Sequence, residues 1–137
     1  MQNGNSMLGT KDIEKVMIRV CEGLGIVPLS RIYLPDDFPE GVSERIVIHV
    51  KNQTRGDIFY KGFVEVNAIV PDDNEKAKHE RLGDIEHIFD EAFKYDTVGE
   101  YNGETYRYGL YSMETLCDQD AHYHYVNARL TFETLNI

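Results

Sequence analysis

The stretch of sequence that decides the fold is His122-Tyr-His-Tyr-Val-Asn-Ala-Arg-Leu-Thr-Phe-Glu-Thr-Leu-Asn136. Apolar side chains fall at every second position and polar side chains lie between them. The apolar set is Val126, Ala128, Leu130 and Phe132, and the polar set is Asn127, Arg129, Thr131 and Glu133. A period of two residues is the signature of a half-buried strand. The sequence therefore predicts a long final strand within a sheet.

Two further segments have the period of an amphipathic helix. The first runs from about Thr10 to Leu24, with Thr10 near its cap and Gly25 placed to end it. Its apolar stripe is Ile13, Val16, Met17, Val20 and Leu24. The second follows Pro71, with Asp72 or Asp73 as its cap, and ends near Tyr95. Its stripe is Ala77, Leu82, Ile85, Ile88, Phe89, Ala92 and Phe93.

The remaining segments predict strands and the loops that join them. Alternation over 44–51 and 58–70 indicates two strands joined by the polar, hairpin-like loop 52–57. A further strand is predicted over 105–113, after a turn at 101–104, and a short one within 27–34. Residues 35–41 contain two prolines and a glycine, so they predict an irregular loop with Phe38 as an apolar anchor.

The order of these elements predicts an α+β fold of the form α-β-β-α-β-β. Two helices pack on one face of a mainly antiparallel sheet of four to five strands. With 137 residues, the chain is long enough for one domain with a real core. We expect a flexible polar arm over residues 1–9 and a single domain over residues 10–137.

Charge and composition exclude several classes of function. The 24 acidic and 14 basic side chains give a net charge of −10, which disfavours tight binding to nucleic acid or to anionic membranes. No run approaches the roughly 20 apolar residues of a membrane span, and residues 1–6 do not have the pattern of a secretory signal. The two cysteines, Cys21 and Cys117, imply no disulfide framework, so a reducing compartment is expected.

A set of metal-binding side chains precedes and enters the final strand. His122 and His124 are two residues apart, and the nearby Cys117, Asp118 and Asp120 add chemically suitable ligands. Two side chains of one strand supply only half of a tetrahedral site. The other half would have to come from a loop or from the distant His49, His79 or His87. We therefore expect partly buried polar histidines and no metal site.

The last two predicted strands are rich in tyrosine, with six of the nine in the chain. These are Tyr101, Tyr106, Tyr108, Tyr111, Tyr123 and Tyr125. Aromatic side chains on adjacent strands stack with single-stranded nucleic acid in some RNA-binding modules. Here only Arg107 and Arg129 supply positive charge nearby, so the pattern favours cross-strand packing or a protein interface.

No catalytic or cofactor-binding residue is predicted. Gly23-Leu-Gly25 follows a helix, whereas a dinucleotide loop follows a strand and precedes a helix. The serines lack a G-x-S-x-G context, and neither cysteine has the local sequence of a known nucleophile. The acidic pairs at 36–37 and 72–73 lack the alternating ligands of a calcium loop.

This order of elements, together with the final segment Asp120-Ala-His-Tyr-His-Tyr-Val-Asn-Ala-Arg-Leu-Thr-Phe-Glu133, resembles the tail-terminator and tail-completion (head–tail joining) proteins of tailed bacteriophages and prophages. In that family the last strand is similar: it has a polar or histidine-containing start, then alternates, contains an arginine and closes on an acidic residue. His122, His124, Arg129 and Glu133 occupy comparable places here.

The resemblance implies a structural role without cofactor or catalysis. Such proteins form rings, typically hexameric, that cap the tail tube and join it to the neck, either in the cytoplasm of a bacterial host or in the virion. An acidic lumen would let DNA pass without holding it. The alternative is a small non-viral α+β domain that binds a protein or a ligand without catalysis.

From their loop and strand positions we expect a set of residues to contribute to contacts between subunits. These are Phe38, Arg55 and Asp57 in the two loops, and Asn127, Arg129, Thr131 and Glu133 on the polar face of the last strand. The expected partners are other copies of the chain and the tail-tube and neck proteins.

Overall fold

The computed structural model describes residues 8–25, 32–35, 44–55 and 59–135, with only the backbone of Phe59. Two helices and six strands make up this part of the chain. They are α1 (Thr10–Glu22), β1 (Ile32–Tyr33), β2 (Arg45–Arg55), β3 (Phe59–Pro71), α2 (His79–Phe93), β4 (Thr97–Tyr101), β5 (Glu104–Asp118) and β6 (Tyr123–Leu135).

The six strands form one curled sheet in the order β1-β2-β3-β6-β5-β4. β6 lies in the interior of the sheet, antiparallel to β3 on one side and to β5 on the other. β1 pairs with β2 in the parallel direction, whereas the other neighbours are antiparallel. The predicted α+β class is confirmed. The predicted four to five strands are too few, and the sheet is mixed.

The core lies between the two helices and one face of the sheet, which we call the inner face. α1 contributes Ile13 and Met17, and α2 contributes Phe89 and Phe93. They pack against the apolar positions of the strands, namely Ile46, Ile48, Val64, Val66, Ala68, Val70, Val126, Ala128, Leu130 and Phe132. The apolar stripes read from β3 and β6 are therefore confirmed as the inner face.

Two strands are longer than predicted, and each contains a β-bulge. β2 shifts register between Val50 and Gln53, and β5 shifts between Leu110 and Ser112. A bulge inserts one residue and interrupts the in-and-out alternation. The prediction therefore ended these strands at residues 51 and 113, whereas they continue to Arg55 and Asp118. Residues 52–55, predicted as loop, belong to β2.

The second helix begins later than predicted. Its N-cap is Lys78, so neither Asp72 nor Asp73 caps it. The backbone of Asp73 pairs with Lys76 in a tight turn, and the Asp72 carboxylate contacts His124 instead. The structure also adds β4, which the sequence did not predict.

The structure differs from the prediction at two further positions. His122 has a φ of 57° and lies in the turn before β6, so it does not share a strand face with His124. Leu8 is buried in the core, so the packed domain begins before Thr10. Among the described residues, no helix is both long and apolar enough to cross a membrane.

Candidate interaction surface

The polar residues of β6 lie on the sheet face away from the helices, which we call the outer face. Asn127, Arg129, Thr131 and Glu133 are partly buried there and alternate with fully buried apolar residues. This placement is the one predicted from the sequence. Their partners come from the neighbouring strands β3 and β5.

Two of these side chains contact β3. The Asn127 amide donates a hydrogen bond to Asn67 Oδ1 at 2.7 Å. The Arg129 guanidinium lies 4.1 Å from the centroid of the Phe63 ring, a cation–π geometry. Phe63 in turn packs edge-on against Tyr111 of β5 at 5.1 Å. A polar and aromatic layer thus crosses the sheet from β3 to β5.

The other two contact β5. Glu133 accepts a hydrogen bond from Arg107, and Thr131 Oγ1 donates a long one, 3.4 Å, to the Gly109 carbonyl. All four predicted interface residues of β6 therefore have a partner within their own chain. These contacts within the chain hold the polar side chains of the outer face in a defined arrangement.

A shallow cavity of about 240 Å³ opens at one end of the outer face. It is lined by Pro35, Val47, Asn67, Ile69, Tyr123 and Tyr125. The Arg45 guanidinium lies 5.8 Å from the Tyr123 ring centroid. Burial, followed by the nearby Asp118, raises the pKa of the Tyr123 phenol, so this hydroxyl stays protonated at neutral pH. The cavity combines apolar walls with neutral hydrogen-bonding groups.

The loop residues predicted at the interface have different outcomes. Arg55 is exposed at the end of β2, next to the β2–β3 connection. Phe38 and Asp57 lie outside the described residues, so their predicted roles stay predictions.

The histidine and cysteine side chains do not assemble a metal centre in the described part of the chain, where no group of three candidate ligands comes together. Cys117 and His124 are neighbours across β5 and β6. His124 Nδ1, however, lies 2.7 Å from Asp72 Oδ1, and His122 lies in the turn before β6. The His124–Asp72 contact ties the start of β6 to the end of β3.

The tyrosines divide between the two faces of the sheet. Tyr106 and Tyr108 stack on Phe132, with centroid distances of 5.4 Å and 6.3 Å, as part of the core packing. Tyr111 lies against Phe63, and Tyr123 and Tyr125 line the outer cavity. This division agrees with the expected cross-strand packing and leaves no single plane of six aromatic rings.

Two long stretches of strand edge have no partner strand among the described residues. β4 covers β5 only up to Tyr108, which leaves residues 110–118, the open edge of β5. β1 covers β2 only at residues 46–47, which leaves residues 48–55, the open edge of β2. A strand edge exposes backbone donors and acceptors and is a template for pairing with another chain.

Sequence reasoning missed these edges because it did not order the strands. A signal was nevertheless present, since charge is segregated between the two segments. Residues 48–55 contain Lys51 and Arg55 and no acid, whereas residues 110–118 contain Glu114 and Asp118 and no base.

Comparisons with known proteins support the fold alone. No family model matches the chain, and no curated protein matches it. One of the solved structures similar to this chain has a TM-score of 0.56 over 90% of this chain and 91% of its own, at 17% sequence identity. Both proteins therefore share a similar arrangement of helices and strands along nearly their whole lengths.

Proposed function

We propose that the protein is a structural subunit that assembles with copies of itself into a ring of the tail-terminator or head–tail connector type. The observation that carries this proposal is the pair of open edges on β2 and β5, at opposite sides of one sheet. A subunit with two different contact surfaces makes head-to-tail contacts, and these close into rings when the rotation between subunits allows it.

The electrostatics support the same role. The net charge of −10 repels phosphate backbones, so DNA can pass a ring of such subunits without being held. The proposed partners are further copies of the chain, in a ring of about six as the resemblance to tail terminators implies, and the tail-tube and neck proteins. The proposed location is the cytoplasm of a bacterial host or the virion. The role requires no cofactor and no catalysis.

Assembly state is the first test of this proposal. Light scattering on a size-exclusion column over a range of protein concentrations, with negative-stain images, is expected to reveal closed rings of about six subunits. A strict monomer at every concentration would contradict the proposal.

Charge reversal at Arg55 provides the matching mutational test. Arg55→Glu is expected to shift assembly to higher protein concentration, because Arg55 is exposed at the end of the open edge of β2. Lys76→Glu, in the exposed turn before α2, makes the same change in charge away from both edges and serves as the control. Arg129→Glu requires a parallel unfolding measurement, because Arg129 stacks on Phe63 of its own chain. Unchanged assembly in both Arg55→Glu and Arg129→Glu would remove these residues from the interface.

The outer cavity favours a second candidate, a small non-viral domain that binds a ligand or a peptide without catalysis. Tyr123 and Tyr125 supply aromatic walls there, and Asn67 supplies an amide. A monomer whose Tyr123 and Tyr125 resonances shift on adding a small aromatic probe would support this candidate. Rings that form without any such shift would support the structural role.

A further inference from the structure

The two open edges match in length and in strand direction. Residues 110–118 of β5 and 48–55 of β2 span similar distances along their strands. β2 and β5 lie on opposite sides of the central β3–β6 pair and run in opposite directions, since each step from β2 through β3 and β6 to β5 is antiparallel. When two copies lie side by side with their inner faces on the same side, β5 of one copy is therefore antiparallel to β2 of the next.

The charges on these edges favour contact between unlike edges over contact between like edges. A pair of β5 edges centred on Glu114 would bring this residue of one copy close to Glu114 of the other. Contact between β5 and β2 can instead place Glu114 opposite Lys51. Like charges placed opposite each other destabilise a strand pair, whereas opposite charges stabilise it.

The short strands at the two ends of the sheet define where the next copy fits. Val50 and Leu110 lie at the same level, because they are joined across the sheet through Val64 and Leu130. β4 occupies the part of the β5 edge before residue 109. The next copy must therefore shift along the strand until Arg55, the last residue of its β2, meets Leu110.

We propose, on the basis of the ring-forming role above, that the open edge of β5 in one subunit pairs antiparallel with the open edge of β2 in the next. Lys51 then lies opposite Glu114, and Thr54 lies opposite Ser112. The contact is heterologous, so it propagates from subunit to subunit around a ring. The partner recognised by each edge is a second copy of this chain.

The faces of the two strands agree in this register. Lys51 and Glu114 both lie on the outer face, as shown by the contact of Lys51 with Glu65 and by the pairing of Glu114 with Asn127. Each strand carries one bulge within the pairing stretch. Because each strand has one extra residue, the two strands stay in phase. Inner-face residues therefore lie opposite inner-face residues on both sides of the bulges.

The shift along the strand between neighbouring copies also agrees with the strand tilt of closed sheets. Moving by five residues with one bulge is four steps of the ladder, since Val50 pairs with Val64 and Arg55 with Tyr60. Four steps correspond to about 14 Å along the strand, and the four strands of each repeat span about 19 Å across the sheet. The resulting strand tilt is about 35°, at the lower end of the roughly 35–45° typical of closed barrels. Tilted strands therefore allow staggered copies to return to the first subunit.

Cysteine cross-linking tests this pairing directly. Thr54→Cys and Ser112→Cys replace exposed residues with side chains of similar size, and Cys117→Ser removes the exposed native thiol, while Cys21 is buried. A disulfide requires Cβ atoms about 4 Å apart, so mild oxidation reports close contact. We expect the variant T54C/S112C/C117S to form a ladder of linked subunits on a non-reducing gel, and S112C/C117S alone to stay unlinked.

The outcomes separate this inference from the proposed function. Dimers formed by S112C/C117S alone would overturn it in favour of pairing between two β5 edges. Rings seen by light scattering, with no ladder from the paired cysteines, would overturn the strand pairing and leave the structural role standing. A monomer that never cross-links would overturn both.

A charge swap provides an independent measurement. At about 0.5 M salt, where the repulsion between net charges is largely screened, Glu114→Lys and Lys51→Glu are each expected to weaken assembly, and the double variant is expected to recover part of the loss. Recovery is partial because Lys51 also contacts Glu65 in its own chain, at 3.5 Å. Glu75→Lys, in the exposed turn before α2, is the matched control and is expected to assemble normally. Equal effects of Glu75→Lys and Glu114→Lys would overturn the inference.

Discussion

Cys21 and Cys117 occupy opposite environments in the same small domain. Cys21 lies on the inward side of α1 and is only 3% exposed, and burial, followed by the nearby Glu22, raises the pKa of its thiol to about 12. Cys117 is exposed near the end of β5. Because the thiolate is the reactive form, only Cys117 is chemically accessible in the folded protein.

We therefore expect one thiol per chain to react with a maleimide or with Ellman's reagent at pH 8, and two in denaturant. Cys117→Ser is the control and is expected to leave the native protein unreactive. Rapid labelling of Cys21 in native Cys117→Ser would contradict the packing of α1 on the sheet. If β5 is covered in the assembled ring, Cys117 is also expected to react more slowly there than in the free subunit.

At the same scale, the sheet face of Arg129 can be predicted from the sequence, whereas its contact partner cannot. Its place on the polar face of β6 follows from the period of two residues alone. Its contact with Phe63 does not, because the two residues are far apart in sequence and meet only through the register of β3 with β6. The sequence therefore assigned the correct face and gave no account of which partners the chain itself provides.

At the scale of elements, β6 joins the two halves of the sheet, because it pairs with β3 on one side and with β5 on the other. Phe132 is fully buried on it and stacks with Tyr106 and Tyr108 of β5. Phe132→Ala is expected to lower the free energy of unfolding by about 3–5 kcal/mol, since it removes a large buried ring and leaves a cavity. Urea unfolding followed by circular dichroism measures this change.

The adjacent Thr131 provides the matched control on the same strand. It lies on the outer face and makes only the long hydrogen bond to Gly109. Thr131→Ala is expected to cost less than about 1 kcal/mol. Similar losses for Phe132→Ala and Thr131→Ala would mean that the inner and outer faces of β6 are wrongly assigned.

The elements that the sequence missed share a physical reason. β4 is a short edge strand without a fully buried position, and its one large aliphatic side chain, Val98, is 62% exposed, so it has no apolar stripe to detect. The bulges in β2 and β5 hide the second halves of those strands in the same way. Helices and central strands were predictable because one face of each is buried throughout.

At the scale of the whole molecule, the candidate surface depends on strand order, which no local pattern encodes. Lys51 and Glu114 stand on strands that are separated by β3 and β6, and each is an ordinary exposed charge when read in sequence. Only the uneven coverage by β1 and β4 distinguishes these segments as open edges. The general class that we propose for the site, a protein interface, was the part that composition could suggest.

The net charge of −10 also sets how assembly responds to salt, and two effects oppose each other. Two such subunits repel by on the order of 10 kcal/mol at about 30 Å in water before screening. An exposed pair such as Lys51 with Glu114 contributes only about 0–1 kcal/mol. Salt weakens both, but it removes much more repulsion than attraction, because the Debye length falls to about 10 Å at 0.1 M and to about 3 Å at 1 M.

Assembly is therefore expected to strengthen as salt rises from about 0.05 M to about 0.5 M, a range over which screening shortens the Debye length severalfold. Light scattering at fixed protein concentration measures the fraction in rings. Glu114→Lys makes each subunit less negative, so it also lowers the net repulsion between subunits. At high salt this repulsion is screened, and the loss of the Lys51–Glu114 contact remains. We therefore expect Glu114→Lys to assemble less well than the wild type at high salt. If added salt instead dissolves wild-type rings, local ion pairs outweigh the repulsion between subunits, and the interface contains more charged contacts than the β2–β5 pairing supplies.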